Sequence, residues 1–354
     1  MIRSMLKYKW MCIAVLCCAI FAACEPASDI PTAQTPITFS NGPARAQQVL
    51  ASAANARIWA YYTTSTTPAT TYDVYGSITG NTTASQTPST PTGKGENASL
   101  TITDTNGNLT GALLVNGNTK YWTNGTYDFF SIYSEKFKNT DTNTEPIFDI
   151  NTDNGTLSFS YDITDQQELR YACHLNTEGT AIRPDKVDFN YQHLLSRVKF
   201  QGFSTDSESP ITVTSVSVAN VPSKATVSMN IGGVSTTDAK SLTATYSVST
   251  TDKFTISNSS ADGMICNNTN GYIVLDKMVF PSNEALKDLT FSVTYNTSSE
   301  TNKTKTATLQ GYNFEAGKSY LLKFYIQPSG TIVFANEVII NDWGETDAEI
   351  DIQF

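Results

Sequence analysis

The sequence has little charge and almost no histidine. Charged residues make up 16% of the 354 positions, and the two histidines are His174 and His193. Neither histidine stands in a His-x-x-x-His or cysteine–histidine spacing that could bind zinc. The Gly-x-Ser-x-Gly elbow, the phosphate-binding loop and the dinucleotide fingerprint do not occur either. We therefore predict no catalytic residues, no metal site, no cofactor and no enzymatic activity, and we interpret His193 as a packed or hydrogen-bonded residue in an apolar strand region.

Clusters of basic residues are missing beyond the first few positions. The net charge is -10 and the isoelectric point lies near 4.7. Nucleic-acid binding requires basic patches that neutralise phosphates. We therefore exclude nucleic acid as a partner.

The N-terminus contains an apolar run that is too short to span a bilayer. Lysine and arginine precede this run, which extends from Met11 to Ala23. It ends in Phe21-Ala22-Ala23-Cys24, which resembles a bacterial lipobox. We predict a signal peptide over residues 1–23, with acyl chains such as palmitate on Cys24 that hold the protein in the outer membrane. The alternative is an ordinary signal peptidase site beside an incidental cysteine.

Cysteine is scarce in the remainder of the chain. After Cys24 only Cys173 and Cys266 are left. They could form a disulfide in an oxidising compartment. The domain division given below would separate them, so we predict two unpaired, half-buried thiols.

Long amphipathic helices are also missing. Short apolar and alternating runs are separated by Asn-Gly turns, which is typical of an antiparallel all-β sandwich. The pattern of Ile211–Val218 predicts a strand with a bulge near Thr214-Ser215, where period two breaks. Tyr320, Leu322, Phe324 and Ile326 form one inward stripe. Asp165–Cys173 is the best candidate for a short helix.

Two short strands lie near the ends of the chain. Ile37 and Phe39 define one strand, which is followed by Asn-Gly-Pro and Arg45. Four apolar residues alternate with polar ones at the C-terminus: Ala348, Ile350, Ile352 and Phe354. The tail could dock into its own sheet, or it could be a mobile strand for the sheet edge of a neighbour. In the second case each buried side chain would contribute about 1.5–3 kcal/mol.

Two other features suggest ligands. Asp149, Asn151 and Asp153 resemble the start of a calcium loop, but the glycine is displaced and the bidentate glutamate is missing, so we favour a plain turn. Five aromatic residues could stack on sugars, although core packing is the simpler use: Trp59, Tyr61, Tyr62, Trp122 and Tyr127.

Several segments together resemble the fimbrillins, the FimA- and Mfa-like subunits of type V pili and related surface lipoproteins. The resemblance covers most of the chain. It rests on the following segments in this order: Cys24, Ile37-x-Phe39 leading to Arg45-Ala46, Asp128-Phe129-Phe130, Leu169–Ala172, Phe189 to Val198, Asn313–Tyr320 and Trp343.

This resemblance implies two transthyretin-like β-sandwich domains, which we place at residues 46–205 and 206–354 with a hinge near Gly202–Pro210. Residues 24–45 would be a tether and a removable first strand. An arginine-specific protease would cut between Arg45 and Ala46, and the emptied groove would accept residues 348–354 of the next subunit. Arg57, which also precedes a strand, is the alternative cleavage site.

The expected function is therefore a structural pilus subunit for adhesion or biofilm formation. Its partners would be other copies of the chain, anchor and tip subunits, and the protease. The location would be the outer membrane through lipid, followed by the extracellular fimbrium. The alternatives are a tip or anchor subunit, or a surface lipoprotein that binds glycans.

Overall fold

The structure, a computed structural model, places most of the residues that it describes in β-strands. The described residues are 35–41, 56–63, 73–77, 92–93, 99–102, 109–112, 114–115, 118–119, 121–122, 124–134, 136, 148–151, 156–179, 186–206, 209–230, 243–282, 289–309, 313–327 and 329–343. Every regular secondary-structure element within these ranges is a β-strand, which confirms the predicted all-β class. No helix in the same ranges has the length and apolarity to cross a membrane.

The strands of the first half are β1 (Thr38–Asn41), β2 (Ala56–Thr63), β3 (Asp73–Ser77), β4 (Thr92–Gly93), β5 (Ser99–Ile102), β6 (Leu109–Ala112), β7 (Leu114–Val115), β8 (Asn118–Thr119), β9 (Gly125–Ser134), β10 (Phe148–Asn151), β11 (Thr156–Asp162), β12 (Leu169–Gly179), β13 (Val187–Phe189) and β14 (Gln192–His193). Those of the second half are β15 (Ser196–Ser204), β16 (Ile211–Pro222), β17 (Lys224–Asn230), β18 (Ala244–Val248), β19 (Lys253–Cys266), β20 (Tyr272–Val279), β21 (Leu289–Asn296), β22 (Lys303–Leu309), β23 (Lys318–Ile326) and β24 (Ile332–Asp342).

These strands form five larger sheets and the small β7-β8 ribbon. The strand orders are β13-β1-β6-β5, β18-β17-β11-β10-β4, β14-β12-β9-β2-β3, β20-β15-β23-β24 and β19-β16-β21-β22. Most pairs are antiparallel, and β1–β13 and β15–β23 are parallel. The transthyretin-like topology of two domains stays a prediction.

Strand β9, in the middle of the sheet β14-β12-β9-β2-β3, has buried side chains on both faces. Successive side chains of a strand point to opposite faces, so β9 contributes to two cores. Phe129 and Tyr133 pack in one cluster with Ile37 and Phe39. Phe130 and Ile132 pack in another cluster with β11 and β17. The first half is therefore layered around this central sheet.

A third core lies between β20-β15-β23-β24 and β19-β16-β21-β22. The predicted stripe on β23 is buried throughout and belongs to this cluster. The predicted bulge is also present, because the register of β16 against both neighbours shifts between Val213 and Ser215. Both features could be predicted from the sequence because successive side chains of a strand lie on opposite faces.

The chain crosses between sheets on both sides of the predicted domain boundary. β15 precedes the boundary but pairs with β20 and β23. β17 follows the boundary but pairs with β11 over seven residue pairs, from Thr156↔Asn230 to Asp162↔Lys224. Residues 205–210 connect β15 to β16, which contribute to the same core. The division into 46–205 and 206–354 stays a prediction.

The helix predicted over Asp165–Cys173 is wrong. Residues from Leu169 onward form β12, which pairs with β9 along most of its length. Gln166 adopts a positive φ of 56°, which ends any helical geometry before the strand begins. Pairing with the central sheet outweighs the helix-tolerant composition of this segment.

Candidate functional site

Strand β1 lies inside a sheet and has a partner on each side. It runs parallel to β13, with Phe39 opposite Val187. It runs antiparallel to β6, with Phe39 opposite Gly111. A segment from the N-terminal region therefore fills the position between β6 and β13 and pairs with both.

Two side chains of this segment are completely buried in the first core. Ile37 is 1% exposed and Phe39 is 0% exposed. The Phe39 ring stacks on Phe189, with ring centroids 5.4 Å apart and an interplanar angle of 18°. It also meets Phe129 edge to face at 5.7 Å. Offset stacking and edge-to-face contacts are the favourable geometries for aromatic rings, so Phe39 is a well-packed core residue.

The approach to β1 is fixed by the backbone. The Trp122 amide donates a hydrogen bond of 3.0 Å to the carbonyl oxygen of Thr35. Pro36 forms an isolated antiparallel bridge with Tyr121. The chain is therefore already paired before the strand begins.

These contacts define a site that we call the β1 slot. It consists of the facing backbones of β6 and β13 and the buried side chains around Phe39, which are Ile58, Trp122, Tyr127, Phe129, Val187 and Phe189. If β1 left, two rows of backbone groups and an apolar channel would lose their partners. Such an opening favours pairing with another strand.

The other residues of the predicted processing and exchange scheme lie outside the described residues. They are Cys24, Arg45, Ala46, Ala348, Ile350, Ile352 and Phe354. Their roles stay predictions.

The alternative cleavage site, Arg57, is described through its backbone. It lies in β2 opposite Ile132 of β9, and the next residue, Ile58, pairs with Ser77 of β3. Cleavage at Arg57 would therefore cut an interior strand of the central sheet.

Alternation in the sequence assigned Ile37 and Phe39 to a strand, but it did not predict the partners of that strand. The parallel pairing of β1 with β13 joins segments far apart in the chain, and no local pattern encodes such a register.

The predicted ligand features have other uses where they are described. Trp122 and Tyr127 are buried and pack edge to face at 5.1 Å. The side chains of Trp59, Tyr61 and Tyr62 lie outside the description. Asp149 and Asn151 lie in strand β10 and not in the expected turn, with Asp149 exposed opposite Ser158; Asp153 lies outside the described residues. In the part of the chain that the structure describes, no three side chains gather as metal ligands.

Cys173 and Cys266 do not form a disulfide, as predicted, but the expected half-burial holds for Cys173 alone. Cys266 is fully buried in the core that contains β23, whereas Cys173 is half-buried beside the core that contains β11. Burial raises the pKa of Cys266 to about 12, although a backbone hydrogen bond from Tyr272 acts in the opposite direction.

Comparisons with known proteins point to one family. A family model described as "Fimbrillin-like" matches residues 45–343. No curated protein matches the chain. The similar solved structures include a fimbrial protein of Bacteroides vulgatus (15% identity, 82% of this chain and 93% of that chain, TM-score 0.49), a candidate cell adhesion protein of Bacteroides uniformis (16%, 89% and 100%, 0.48) and a fimbrial assembly protein of Parabacteroides distasonis (11%, 87% and 98%, 0.39).

Proposed function

Because the chain belongs to the fimbrillin-like family, we propose that it is a structural pilus subunit that polymerises by strand exchange. In this proposal a protease cuts between Arg45 and Ala46, β1 leaves its slot, and the C-terminal strand of another copy replaces it. The observation that carries the proposal is the interior position of β1, with Phe39 fully buried between β6 and β13.

The two strands that would compete for the slot share a sequence pattern. The residues at and just before the start of β1 are Ile37-Thr38-Phe39, and the sequence ends in Ile352-Gln353-Phe354. Both place isoleucine and phenylalanine on one face with a polar residue between them. The C-terminal strand can thus offer the slot the same two apolar side chains, in the same order, that β1 offers.

The exchange is physically reasonable for a durable joint. Burying isoleucine and phenylalanine contributes about 1.5–3 kcal/mol each, and the strand pairs with two neighbours at once. Because residues 24–45 remain attached to the subunit before cleavage, β1 occupies the slot at a high effective concentration. Cleavage removes this advantage and leaves the neighbour's strand as the competitor.

The proposal assigns the two ends of the chain to successive stages. Acylated Cys24 would hold the uncut precursor at the outer membrane, and cleavage would release the remainder into the fimbrium. The partners are then other copies of this chain, anchor and tip subunits, and an arginine-specific protease. Catalysis has no part in this function.

N-terminal sequencing of material extracted from the cell surface tests the processing step. Heat-resistant multimers that begin at Ala46 are the expected result. Monomers that retain acylated Cys24 would contradict polymerisation and would favour an anchor subunit.

Two matched substitutions test the exchange step. Phe354→Ala removes the apolar side chain that would enter the slot, whereas Gln353→Ala changes the opposite face of the same strand. We expect Phe354→Ala to yield folded, exported monomers and Gln353→Ala to leave the multimers intact. If Phe354→Ala prevents folding of the subunit itself, the C-terminal strand belongs to its own sheet and the exchange proposal is wrong.

A further inference from the structure

A polar cleft of about 510 Å³ lies where the first-half sheets meet the second-half sheets. Arg170 on β12 and His193 on β14 line one side, and Arg197 on β15 and Lys277 on β20 line the other. Trp343, which follows β24, also lines the cleft. The cleft is remote in sequence from β1 and shares none of the residues that form the β1 slot.

Arg170 is the most enclosed cation of this cleft. Its side chain is 8% exposed, and its Nη2 lies 2.5 Å from Glu168 Oε2. Its Nε and Nη1 are also buried but have no acceptor among the described residues. A buried charged donor without an acceptor is costly, so this guanidinium is suited to a further oxygen acceptor.

Glu168 forms an ion pair with Arg170, but it leaves the Nε and Nη1 groups of Arg170 without an acceptor in the described part of the chain. Its other oxygen, Oε1, contacts His193 Nδ1. Burial alone would raise the pKa of this carboxyl, yet hydrogen bonds from His193 and Arg170 outweigh burial and lower the pKa. Glu168 is therefore ionised at neutral pH, and both of its oxygens are engaged.

The remaining charges leave the cleft positive. Arg197 makes a bidentate pair with Asp276, with distances of 2.8 Å from Nε to Oδ1 and 2.5 Å from Nη2 to Oδ2. Three cations, Arg170, Arg197 and Lys277, thus line the cleft with two carboxylates, Glu168 and Asp276. In a chain whose net charge is -10, a concave surface with an excess of positive charge is distinctive.

The cleft also has a flat aromatic wall. The His193 and Trp343 rings are stacked, with centroids 4.3 Å apart and an interplanar angle of 6°. The Trp343 amide donates a hydrogen bond of 2.7 Å to the Gly317 carbonyl oxygen, which holds the residue in place. Trp343 is half-buried, so part of the indole remains accessible beside the cations.

We propose that this cleft binds the carboxylate of an acidic sugar such as a uronic acid. The carboxylate would meet the positive wall, where Arg170 has donors to spare, and the sugar ring would lie against Trp343. A cleft of about 510 Å³ is in the size range of small-molecule sites and exceeds what a bare inorganic anion needs. Neither the exchange of β1 nor the cleavage site enters this inference, so its failure would leave the proposed pilus function untouched.

Titration of the purified protein with sodium glucuronate, glucose and sodium sulfate tests the ligand class. The readout is the indole N–H resonance of Trp343, assigned by its loss in Trp343→Phe. We expect glucuronate to shift this resonance with an affinity at least about tenfold higher than that of glucose, since a charge-assisted hydrogen bond is worth about that factor. Sulfate binding equal to that of glucuronate would reduce the site to an anion site and overturn the sugar. No shift with glucuronate would overturn the site itself.

Substitutions then locate the binding. Lys277→Ala removes one cation at the cleft wall, and Lys253→Ala removes an exposed lysine of β19 that does not line the cleft. We expect the first to weaken glucuronate binding by about tenfold and the second to leave it unchanged. Arg170→Gln should abolish binding, and Lys277→Ala keeps the test decisive if that variant fails to fold. Equal weakening by both lysine substitutions would show a non-specific charge effect and contradict the proposal.

Discussion

Phe39 stacks on Phe189 with ring centroids 5.4 Å apart, which joins a segment before the predicted cleavage site to a strand in the middle of the chain. Their strands run parallel, with Asn41 opposite Phe189 and Phe39 opposite Val187. The segment that the proposal removes is therefore part of the first core of the uncut chain. Its departure would affect packing and sheet pairing together.

Phe39→Ala should destabilise the uncut precursor and not the cleaved protein. Truncating a fully buried phenylalanine costs about 3–5 kcal/mol, and Phe39 is 0% exposed. Once β1 has been removed, the same substitution is no longer present in the subunit. Denaturant unfolding of the precursor and of the protease-treated protein measures both effects. Equal destabilisation of the two forms would mean that β1 stays in its slot after cleavage.

Arg45→Ala should block processing, whereas Arg57→Ala should not. The backbone of Arg57 pairs within β2, opposite Ile132, and a paired interior strand must unfold locally before a protease can bind it. Mass spectrometry of surface protein from each variant shows which precursor accumulates. Accumulation with Arg57→Ala alone would move the cut into the central sheet and exclude the site at Arg45.

The protein should lose stability in acid because Glu168 becomes protonated. The folded-state pKa of Glu168 is lowered from its ordinary value of 4.5. A lowered carboxyl pKa contributes stability that is fully present above the unfolded value and is lost as pH falls through the folded value. The temperature of thermal unfolding should thus decrease as the pH falls below about 4.5. Glu168→Gln should be less stable at pH 7 and should show a shallower decline, and an unchanged acid slope would contradict this assignment.

Cys266 should resist alkylation in the folded protein. Its thiol is fully buried and burial raises its pKa to about 12, so the reactive thiolate is rare at pH 8. Iodoacetamide labelling followed by peptide mass spectrometry should modify the half-buried Cys173 first and Cys266 only after unfolding. Rapid labelling of Cys266 in the native protein would indicate that the second-half sandwich opens locally.

Local alternation allowed much of the fold to be predicted. The strand stripe that ends at Ile326 and the bulge between Val213 and Ser215 follow from the side-chain period of two. The segment from Asp165 to Cys173 was misassigned because its polar residues resemble a helix. Its real constraint is pairing of β12 with β9, which local sequence does not reveal.

The candidate sites show the same difference between local patterns and contacts that join distant segments. Local sequence is sufficient to show the β class, the family, the two apolar strand patterns near the ends and the absence of known catalytic motifs. The position of β1 between β6 and β13, and the stacking of His193 on Trp343 beside a positive cleft, arise only when the chain folds. The physical reason is range: alternation and turn chemistry act between neighbouring residues, whereas register, burial and charge clustering arise between segments brought together by the fold.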